Sequence, residues 1–526
     1  MPSSKSKPSC LPFVLAIIDG WGVSPKVRGD DPTTKSTMPF IHSLVRNYPQ
    51  AMLEAHGVYV GLPLRQDGNS EAGHLNLGAG RVVDQDAILI NKHIKDGSFF
   101  KNPALGAAVK HVKKYHSRLH LMGLLSNYNS GHSSPGHILA LLKFYQRAGV
   151  RRPLLHFFTD GRDSPRYEAI KFIEDVKKNF KNHEQIASIM GRFYAMDRKK
   201  DWTNTEIAYR VLTEGNGLVE TTGKDAIRQA YNRGESDEFI KPTIIVDEHK
   251  KPYGVISKND AVIFFNLRSD RARQLTKPFV QPRFEQINPG AFQRRLVLKN
   301  LCFVALTDFG PDLGNVLTAF KSLDIKSTLP FVLPGLKQLY VAESEKFAHI
   351  TYFFNGGYDH PVASEDRVMV PSPNVAAYDR APAMSSGVIT AVVIKALKNK
   401  THDFIVFNFA NLDMVGHTGN FKACLKACRS ADQWLERIGR EVYKRRGGFM
   451  ITADHGNIEE TKNLATGQVD TGHSTNPVRC LFYHPAFKHK SFTRRHGQLA
   501  DVAPTILDLL NIDQPKAMTG RSLFRR

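Results

Sequence analysis

Aspartate and histidine residues follow three apolar runs that lie far apart in the sequence. The runs 13–18, 404–409 and 449–452 each predict a buried strand of an open α/β sheet. Ligands of such sheets bind beyond the carboxyl ends of the strands, so we expect the polar residues there to converge. They are Asp19, Asp413, His417, Asp454 and His455, with His473 beside a glycine further along the chain.

This set of residue types indicates a metal site. Carboxylate oxygens and imidazole nitrogens suit Zn²⁺ or Mn²⁺ rather than Ca²⁺ or a structural zinc ion of the cysteine type. Two such ions about 4 Å apart would clamp a phosphoryl group and acidify a bound hydroxyl. Each residue taken singly is more simply a turn aspartate or a surface histidine, but the set as a whole favours the metal interpretation.

A serine lies in the polar, glycine-rich stretch Asp67-Gly-Asn-Ser-Glu-Ala-Gly-His74. The composition predicts a loop rather than a core helix or strand, because glycines on both sides of Ser70 allow sharp turns and close approach to a ligand. Ser70 is a candidate nucleophile, although a serine hydroxyl needs a base or a metal to activate it. The stretch alone would be an ordinary loop; the predicted metal site makes the nucleophile interpretation the favoured one.

Arginines recur after predicted strands in the middle of the chain. Arginine forms bidentate hydrogen bonds with carboxylate and phosphate, so several at one sheet edge would hold a small, multiply charged anion. Each could instead form a surface salt bridge, and it is their repeated placement that favours an anion site. The residues are Arg162 with Asp163, Arg192 with Arg198, Arg268 with Arg271, and His132 after a further strand.

The alternation of apolar runs and helical patterns predicts α/β architecture with mainly parallel sheets. A domain boundary is expected near residues 82–88, and the pattern changes again near 325. Further predicted strands are 119–125, 154–158, 186–189, 262–265, 301–306 and 349–354; predicted helices are 39–48, 384–397, 421–443 and 499–510; and 355–373 is predicted to be a long loop.

Length, charge and cysteine content limit which classes of protein this chain can belong to. At 526 residues the chain is too long for one core. It has 72 basic and 50 acidic residues, a net charge of +22, but no nucleic-acid-binding motif accompanies the basic clusters, which are therefore expected to be solvated faces. No apolar run is long enough to span a membrane, and the run 13–18 lacks a signal-peptide cleavage site. Five scattered cysteines without a Cys-x-x-Cys pair fit a reducing compartment.

Together these motifs resemble the cofactor-independent phosphoglycerate mutases, the manganese-dependent branch of the alkaline phosphatase superfamily, over nearly the whole chain. The motifs are the Ser70 stretch, Asp19-Gly-Trp-Gly, Asp160-Gly-Arg-Asp163, Gly191-Arg to Asp197-Arg198, Phe354-Asn-Gly-Gly357, Pro371-Ser-Pro373, Asn411-Leu-Asp-Met-Val-Gly-His417 and Thr452-Ala-Asp-His-Gly-Asn457.

The resemblance implies two α/β domains: an alkaline-phosphatase-like domain from residues 1–84 and 320–526, and an inserted transferase-like domain from 85–319. It assigns the residues by position. One metal ion would be held by Asp413, His417 and His473, the other by Asp19, Ser70, Asp454 and His455, and the substrate by His132, Arg162, Asp163, Arg192, Arg198, Arg268, Arg271 and Lys346.

The implied reaction interconverts 3-phosphoglycerate and 2-phosphoglycerate in glycolysis and gluconeogenesis without 2,3-bisphosphoglycerate. Ser70, deprotonated on the metal, would take the phosphoryl group, and Asp163 would deprotonate the hydroxyl that takes it back. Two divalent ions are expected, Mn²⁺ first, with Co²⁺, Mg²⁺ or Zn²⁺ as alternatives. Closure of the inserted domain, hinged near residues 84 and 320, would exclude water. A cytoplasmic monomer that acts on a small molecule, without nucleic acid or membrane as a partner, is expected.

Two alternatives remain from the sequence. A metal-dependent phosphatase or another phosphomutase of the superfamily would have the same metal set but no need for the arginines. A non-catalytic polyanion-binding protein would use the +22 charge. One stretch departs from the family pattern: the family usually has a glycine-rich turn with two closely spaced histidines, whereas 126–137 is one residue longer and has Ser134 in place of the second histidine.

Overall fold

Two mixed sheets organise the chain, one in each of two compact units. The computed structural model describes residues 10–524 except 26–27, 128–129, 311, 322–324, 334 and 464–465. Unit 1 comprises residues 1–85 and 323–526, and unit 2 comprises residues 86–322. These boundaries lie next to those expected at residues 84 and 320, and the α/β architecture expected from the alternating pattern is confirmed.

The strands are β1 (Phe13–Ile18), β2 (Gln50–Glu54), β3 (Leu119–Leu125), β4 (Leu154–Thr159), β5 (Gln185–Gly191), β6 (Leu218–Glu220), β7 (Thr243–Ile245), β8 (Ala261–Phe264), β9 (Cys302–Ala305), β10 (Val316–Thr318), β11 (Gln338–Glu343), β12 (Glu365–Val370), β13 (Phe404–Phe409), β14 (Gly448–Thr452), β15 (Val478–Tyr483) and β16 (His496–Gln498).

The α-helices are α1 (Pro39–Asn47), α2 (Ser70–Ala79), α3 (Asp86–Asp96), α4 (Pro103–Tyr115), α5 (Pro135–Arg147), α6 (Ala169–Lys177), α7 (Arg192–Ala195), α8 (Trp202–Glu214), α9 (Gly223–Asn232), α10 (Arg273–Val280), α11 (Phe284–Ile287), α12 (Ser386–Asn399), α13 (Asn411–Gly416), α14 (Phe421–Lys444) and α15 (Val502–Leu510). Within the described residues, no helix is both long enough and apolar enough to cross a bilayer.

The sheet of unit 1 has the strand order β12-β11-β13-β1-β14-β15-β2-β16. Its centre is parallel: β1 pairs with β13 on one side and β14 on the other. All six residues of β1 are fully buried, as the continuous apolar run predicts for a strand covered on both faces. The carboxyl ends of β1, β13 and β14 therefore lie side by side at one edge of this sheet.

The sheet of unit 2 has the order β10-β9-β8-β3-β4-β5-β7-β6 and is parallel except where β5 meets β7. Its middle strands are buried apolar runs, and each of β3, β4, β5 and β8 ends beside one of the arginine-containing or histidine-containing turns. Register through β8, β3 and β4 aligns Phe264 with Met122 and Met122 with His156, so these turns share one edge of the sheet.

Two predictions of secondary structure in the second half of the chain are wrong, and one strand there was not predicted. Residues 349–354 were expected to form a strand, but His349–Phe353 is a π-helix that packs against α2. The expected loop 355–373 contains β12, an edge strand that begins with the charged residues Glu365, Asp366 and Arg367. The strand β11 was not predicted, because polar Gln338 and Glu343 stand at its two ends and leave only a short apolar run between them, although the whole strand is buried.

Candidate active site

Ser70 is the first residue of helix α2, not part of a loop. The Asn69 side chain caps this helix by accepting a hydrogen bond from the Ala72 backbone N–H at 2.9 Å. The neighbouring glycines serve packing rather than turning: a Cβ on Gly73 would lie 2.4 Å from the Asp454 carbonyl oxygen, and one on Gly78 would lie 1.9 Å from that of Phe354. The sequence composition suggested a flexible turn because the partners that require these glycines are distant in sequence.

The Ser70 hydroxyl lies at the meeting point of three elements. Its Oγ is 2.8 Å from Lys346 Nζ, 3.0 Å from His455 Nε2 and 3.2 Å from Asp19 Oδ1. Ser70 is only 6 % exposed. Because Lys346 can only donate, the serine oxygen accepts from its ammonium and keeps its own proton for an acceptor.

Asp413, His417 and His473 converge as one candidate ligand group. The Nδ1 atoms of His417 and His473 lie 2.8 and 2.7 Å from the backbone carbonyls of Thr471 and Gly68. Since a carbonyl oxygen only accepts, each neutral ring carries its proton on Nδ1 and presents a lone pair at Nε2. The two Nε2 atoms are 3.2 Å apart and lie 3.3 and 3.4 Å from Asp413 Oδ1.

Asp19, Asp454 and His455 form a second candidate group, fully buried. His455 Nδ1 lies 3.2 Å from the Gly456 carbonyl oxygen, and its Nε2 faces carboxylate oxygens of Asp19 and Asp454, each at 3.5 Å. The His455 ring also stacks on His473 at 4.0 Å, so the two groups are adjacent. The structure therefore brings together all seven residues that the resemblance assigned to the metals.

Lys346, which the resemblance assigned to the substrate, lies among the metal-site residues of its own unit. Its Nζ is 2.7 Å from Asp19 Oδ1 and 2.6 Å from Asp413 Oδ2, and thus links the two groups. Burial opposes its charge, but attraction by Asp19 and Asp413 outweighs burial and raises the pKa of Lys346 well above its ordinary value. For His455, burial lowers the pKa and the charge of Asp454 raises it, giving about 9. The neighbouring carboxylates thus stabilise the charged forms of both Lys346 and His455.

The donor set fits divalent cations. Three buried carboxylates face the Lys346 ammonium and the His455 imidazole, which still leaves an excess of negative charge that burial makes costly. Among the described residues, Asp454 Oδ2 accepts no hydrogen bond, since the nearby His74 Nδ1 donates instead to the Ser70 carbonyl at 2.9 Å. All three histidines have the Nδ1 hydrogen bond that orients a metal-ligating imidazole. A hard or borderline cation would meet these unsatisfied oxygen and nitrogen lone pairs.

Two supporting residues were missed from the sequence. Asn408, in the otherwise apolar β13, donates from Nδ2 to Asp19 Oδ2 at 2.8 Å, and the same nitrogen lies 3.0 Å from His74 Nε2. Asn457 donates to Asp413 Oδ1 at 2.7 Å. A polar residue inside a fully buried strand was the available signal for Asn408; Asn457 and His74 stood in quoted motifs but had no assigned role.

In unit 2, Asp160 organises the turn that carries Arg162 and Asp163. Its Oδ1 accepts hydrogen bonds from the backbone N–H groups of both residues, at 3.2 and 3.1 Å. The buried Arg192 donates to the same oxygen at 2.5 Å and lies 3.1 Å from Asp163 Oδ2. This network holds a guanidinium and the Asp163 carboxylate side by side.

Further arginines crowd this edge of the unit 2 sheet. Burial lowers the pKa of Arg271 to about 10, and the charges of Arg198, Arg192 and Arg162 lower it in the same direction. Arg198 donates to Asp270 at 2.7 Å, and Arg268 Nε lies 3.8 Å from the same carboxylate group. Mutually repelling guanidiniums next to one another would be stabilised by a multiply charged anion.

His132 lies in the same cluster, on the turn after β3. It is 6 % exposed, and its backbone carbonyl accepts a hydrogen bond from the Leu267 N–H at 2.8 Å. Burial lowers the pKa of its ring to about 3, and Arg268 and Arg192 act in the same direction, so the ring is neutral. Residues 128–129 of the stretch that departs from the family pattern lie outside the described residues. The seven residues assigned to the substrate in unit 2 thus converge.

Comparison with known proteins decides the family. The family model described as BPG-independent PGAM N-terminus matches residues 90–310, which fall within unit 2. A 2,3-bisphosphoglycerate-independent phosphoglycerate mutase from Methanococcoides burtonii is 44% identical over 526 residues, covering 98% of both proteins. The chain belongs to this mutase family. A protein of the same name from Clostridium kluyveri is 42% identical over 518 residues, covering 98% of this chain and 99% of the relative.

The fold agrees with a solved member. A phosphoglycerate mutase from Leishmania mexicana, whose structure was determined at low cobalt concentration, matches with a TM-score of 0.77 and 29% identity over 98% of each chain. The resemblance inferred from the motifs is therefore confirmed, and the chain is an enzyme of the 2,3-bisphosphoglycerate-independent mutase family, with the isomerase role of that family.

Proposed function

We propose that this enzyme interconverts 3-phosphoglycerate and 2-phosphoglycerate through a phosphoserine at Ser70, and that the reaction depends on divalent metal ions. The observation that carries the proposal is the environment of the Ser70 hydroxyl, which contacts an ammonium, an imidazole and a carboxylate in a buried cluster of metal-type ligands. The arginine cluster of unit 2 is what a mutase needs in addition, since a phosphatase has no reason to retain the alcohol.

Residues around Ser70 stabilise negative charge on its side-chain oxygen. The Lys346 ammonium, 2.8 Å from Oγ, stabilises negative charge on the serine oxygen and on an attached phosphoryl group. Ser70 also starts a ten-residue helix, whose unpaired N–H groups and dipole favour an anion at this end. Burial strengthens both effects because water screens them little.

The two ligand groups would hold two divalent ions: Asp413, His417 and His473 one, and Asp19, Ser70, Asp454 and His455 the other. When bound, such ions supply positive charge that offsets the phosphoryl oxygens and lowers the pKa of a nearby hydroxyl. Mn²⁺ remains the expected metal, with Co²⁺, Mg²⁺ or Zn²⁺ as alternatives. Asn408 and Asn457 support this assignment because each donates a hydrogen bond to one of the ligand carboxylates.

In the first half-reaction, the Ser70 hydroxyl gives up its proton, its oxygen forms a bond to phosphorus, and the bond from phosphorus to the substrate oxygen breaks. The departing glycerate oxygen takes up one proton and becomes a hydroxyl, which balances the proton lost by Ser70. In the second half-reaction, the other glycerate hydroxyl gives its proton to Asp163 and attacks phosphorus. The bond from phosphorus to Ser70 breaks, and the serine oxygen takes up one proton to become a hydroxyl again. No phosphoryl group is gained or lost overall, so no bisphosphorylated cofactor is needed.

Unit 2 would keep the glycerate bound in the time between the two half-reactions. Arg192, Arg198, Arg268 and Arg271, with Arg162 and His132, offer guanidinium and imidazole donors to its carboxylate and hydroxyls. Arg192 lies 3.1 Å from Asp163 Oδ2, which keeps that carboxylate ionised and ready to accept a proton. A single anion-binding cluster can thus hold either regioisomer while the reacting hydroxyl changes.

The test is a coupled assay for 2-phosphoglycerate formed from 3-phosphoglycerate, without added 2,3-bisphosphoglycerate, in Mn²⁺ and after chelation. Rapid acid quench and mass spectrometry would locate the phosphoryl group on the protein. We expect Mn²⁺-dependent turnover, phosphate on Ser70, and no turnover by Ser70→Ala with an unchanged circular dichroism spectrum. Ser43→Ala is the matched control and should keep full activity, because among the described residues the Ser43 hydroxyl bonds only the Phe40 carbonyl.

Other outcomes would redirect the proposal. Release of inorganic phosphate instead of 2-phosphoglycerate would identify a phosphatase. Near-normal turnover by Ser70→Ala would exclude the phosphoserine, and full turnover after thorough chelation would exclude the metal requirement.

A further inference from the structure

Ser130 lies on the turn between β3 and α5, in the stretch that departs from the family pattern. Its side chain is buried, at 5 % exposure, and its hydroxyl makes two hydrogen bonds. The Oγ lies 2.9 Å from Asp163 Oδ2 and 3.1 Å from the backbone nitrogen of His132. Since a backbone N–H only donates, the serine oxygen accepts that bond, and the serine proton is directed to the Asp163 carboxylate.

Ser130 shares this Asp163 oxygen with Arg192. Arg192 Nη1 lies 3.1 Å from the oxygen and supplies positive charge, but this nitrogen lies closer to Asp160, at 2.5 Å, so Ser130 makes the shorter of the two contacts with Asp163 Oδ2. The backbone N–H of Asp163 is also engaged by Asp160. The Asp163 side chain is 28% exposed, so a ligand can reach it, while the Ser130 hydroxyl behind it is shielded.

We propose that Ser130 is a positioning residue for Asp163, holding its carboxylate in the orientation in which it takes a proton from the glycerate hydroxyl. This inference rests on the proposed role of Asp163 as the base. Through its second hydrogen bond, Ser130 also couples the carboxylate to the backbone of His132, so that base and substrate-binding imidazole keep one relative position. In this chain, a serine in the altered turn thus takes part in the active site without contacting substrate.

The hydrogen bond also affects the protonation of Asp163. Burial raises the pKa of Asp163, but Arg192, His132 and the hydrogen bond from Ser130 together bring it below the ordinary value. The charged or titratable groups around this carboxylate and its neighbour His132 are Asp160, Arg192, Arg268 and Asp270. Removing the Ser130 donor destabilises the ionised form only, so a base would then be protonated at a higher pH.

The experiment compares pH profiles of kcat/KM for 2-phosphoglycerate formation at saturating Mn²⁺ in the wild-type enzyme and in Ser130→Ala and Ser130→Thr. We expect Ser130→Ala to move the acid limb to higher pH and to lower kcat/KM about tenfold at acid pH, which corresponds to the loss of about one hydrogen bond to a charged group. Ser130→Thr keeps the hydroxyl and should restore the wild-type profile. Ser133→Ala is the matched control, because the buried Ser133 hydroxyl on the same turn has no hydrogen-bond partner among the described residues.

The inference is overturned if Ser130→Ala has the wild-type profile, or if its activity falls equally at every pH with the acid limb unmoved, which would indicate a structural role only. If Ser130→Ala does not fold by circular dichroism, Ser130→Cys replaces it, since a thiol is a much weaker donor. A wild-type enzyme that forms no 2-phosphoglycerate would instead refute the proposed function, and this outcome is separate because it is measured before any variant.

Discussion

Replacement of Gly73 by alanine should damage the candidate metal site through packing alone. Gly73 lies in helix α2, one turn after Ser70, and its Cα faces the backbone of Asp454. An added Cβ would lie 2.4 Å from the Asp454 carbonyl oxygen and 2.7 Å from its Cβ. Ordinary contacts between such atoms are about 3.5 Å, so helix and strand end must separate by about 1 Å. Asp454 is fully buried, so the atoms packed around it prevent it from moving away from the added Cβ.

The size of the effect follows from two opposing contributions. Alanine is favoured over glycine inside a helix by about 0.5–1 kcal/mol, while overpacking of a close contact costs about 1–3 kcal/mol. We therefore expect a net loss of stability. The loss of activity should be larger, because a misplacement of about 1 Å in a reacting constellation costs about a hundredfold. Here the displaced groups are Asp454 and the helix start that carries Ser70.

The assay measures kcat at saturating Mn²⁺ and the melting temperature of each variant. Gly106→Ala is the control: Gly106 lies in helix α4, and a Cβ there would have no heavy atom within 4 Å. It should leave kcat unchanged and keep or raise the melting temperature. If Gly73→Ala behaves like Gly106→Ala, with unchanged kcat and no loss of stability, the argument that close packing sets the position of Asp454 is wrong.

Three further outcomes are expected. Asn408→Ala should weaken Mn²⁺ binding about 10- to 100-fold in a titration followed by calorimetry, because it removes the donor that orients the Asp19 carboxylate; unchanged affinity would contradict this. Mn²⁺ at about 100 times its Kd should stabilise the protein by about 2.7 kcal/mol, seen as a higher melting temperature that chelation reverses; a melting temperature indifferent to metal would exclude ion binding to the folded state. Burial lowers the pKa of both His120 and His156, which are hydrogen-bonded to each other in unit 2. The unfolded chain therefore binds more protons than the folded one, and the free energy of unfolding should decrease as the pH falls below about 6.5. Denaturant unfolding between pH 7 and 5 should show a smaller decrease in His156→Gln than in the wild-type protein.

Strands dominated by long apolar runs could be predicted from the sequence, even where a single polar residue such as Asn408 of β13 interrupts the run. β1, β3 and β13 are buried on both faces, so their composition identifies them. β11 is just as buried, but polar residues at its two ends shorten its apolar run. Gln338 donates to the Pro330 carbonyl, and one Glu343 carboxylate oxygen accepts from the Ser385 backbone N–H, contacts that no local pattern shows. The prediction for residues 349–353 was wrong for the opposite reason. Their aromatic residues are typical of a strand, but packing against α2 stabilises a π-helix.

The candidate site was more predictable than the elements that carry it. Asp19 and Asp454 could be placed together because parallel strands end at one sheet edge, whatever the residues between them do. The conformation of Ser70 could not, because a helix whose glycines meet distant backbone has the same composition as a loop. Ser130 and its bond to Asp163 were also beyond the sequence, since a hydrogen bond across 33 residues leaves no local pattern.

The position of β1 has a consequence for how the chain is made. β1 lies between β13 and β14, whose paired residues follow it in the sequence by 391 and 435 positions. At about 5–20 residues per second, the ribosome delivers β13 roughly 20 to 80 seconds after β1. Unit 2 is complete before β13 emerges and can fold from contacts closer in sequence, while the six apolar residues of β1 still have neither of their final neighbours. The candidate metal site can therefore form only after β13 and β14 have emerged, and we expect the N-terminal segment to need a chaperone until then.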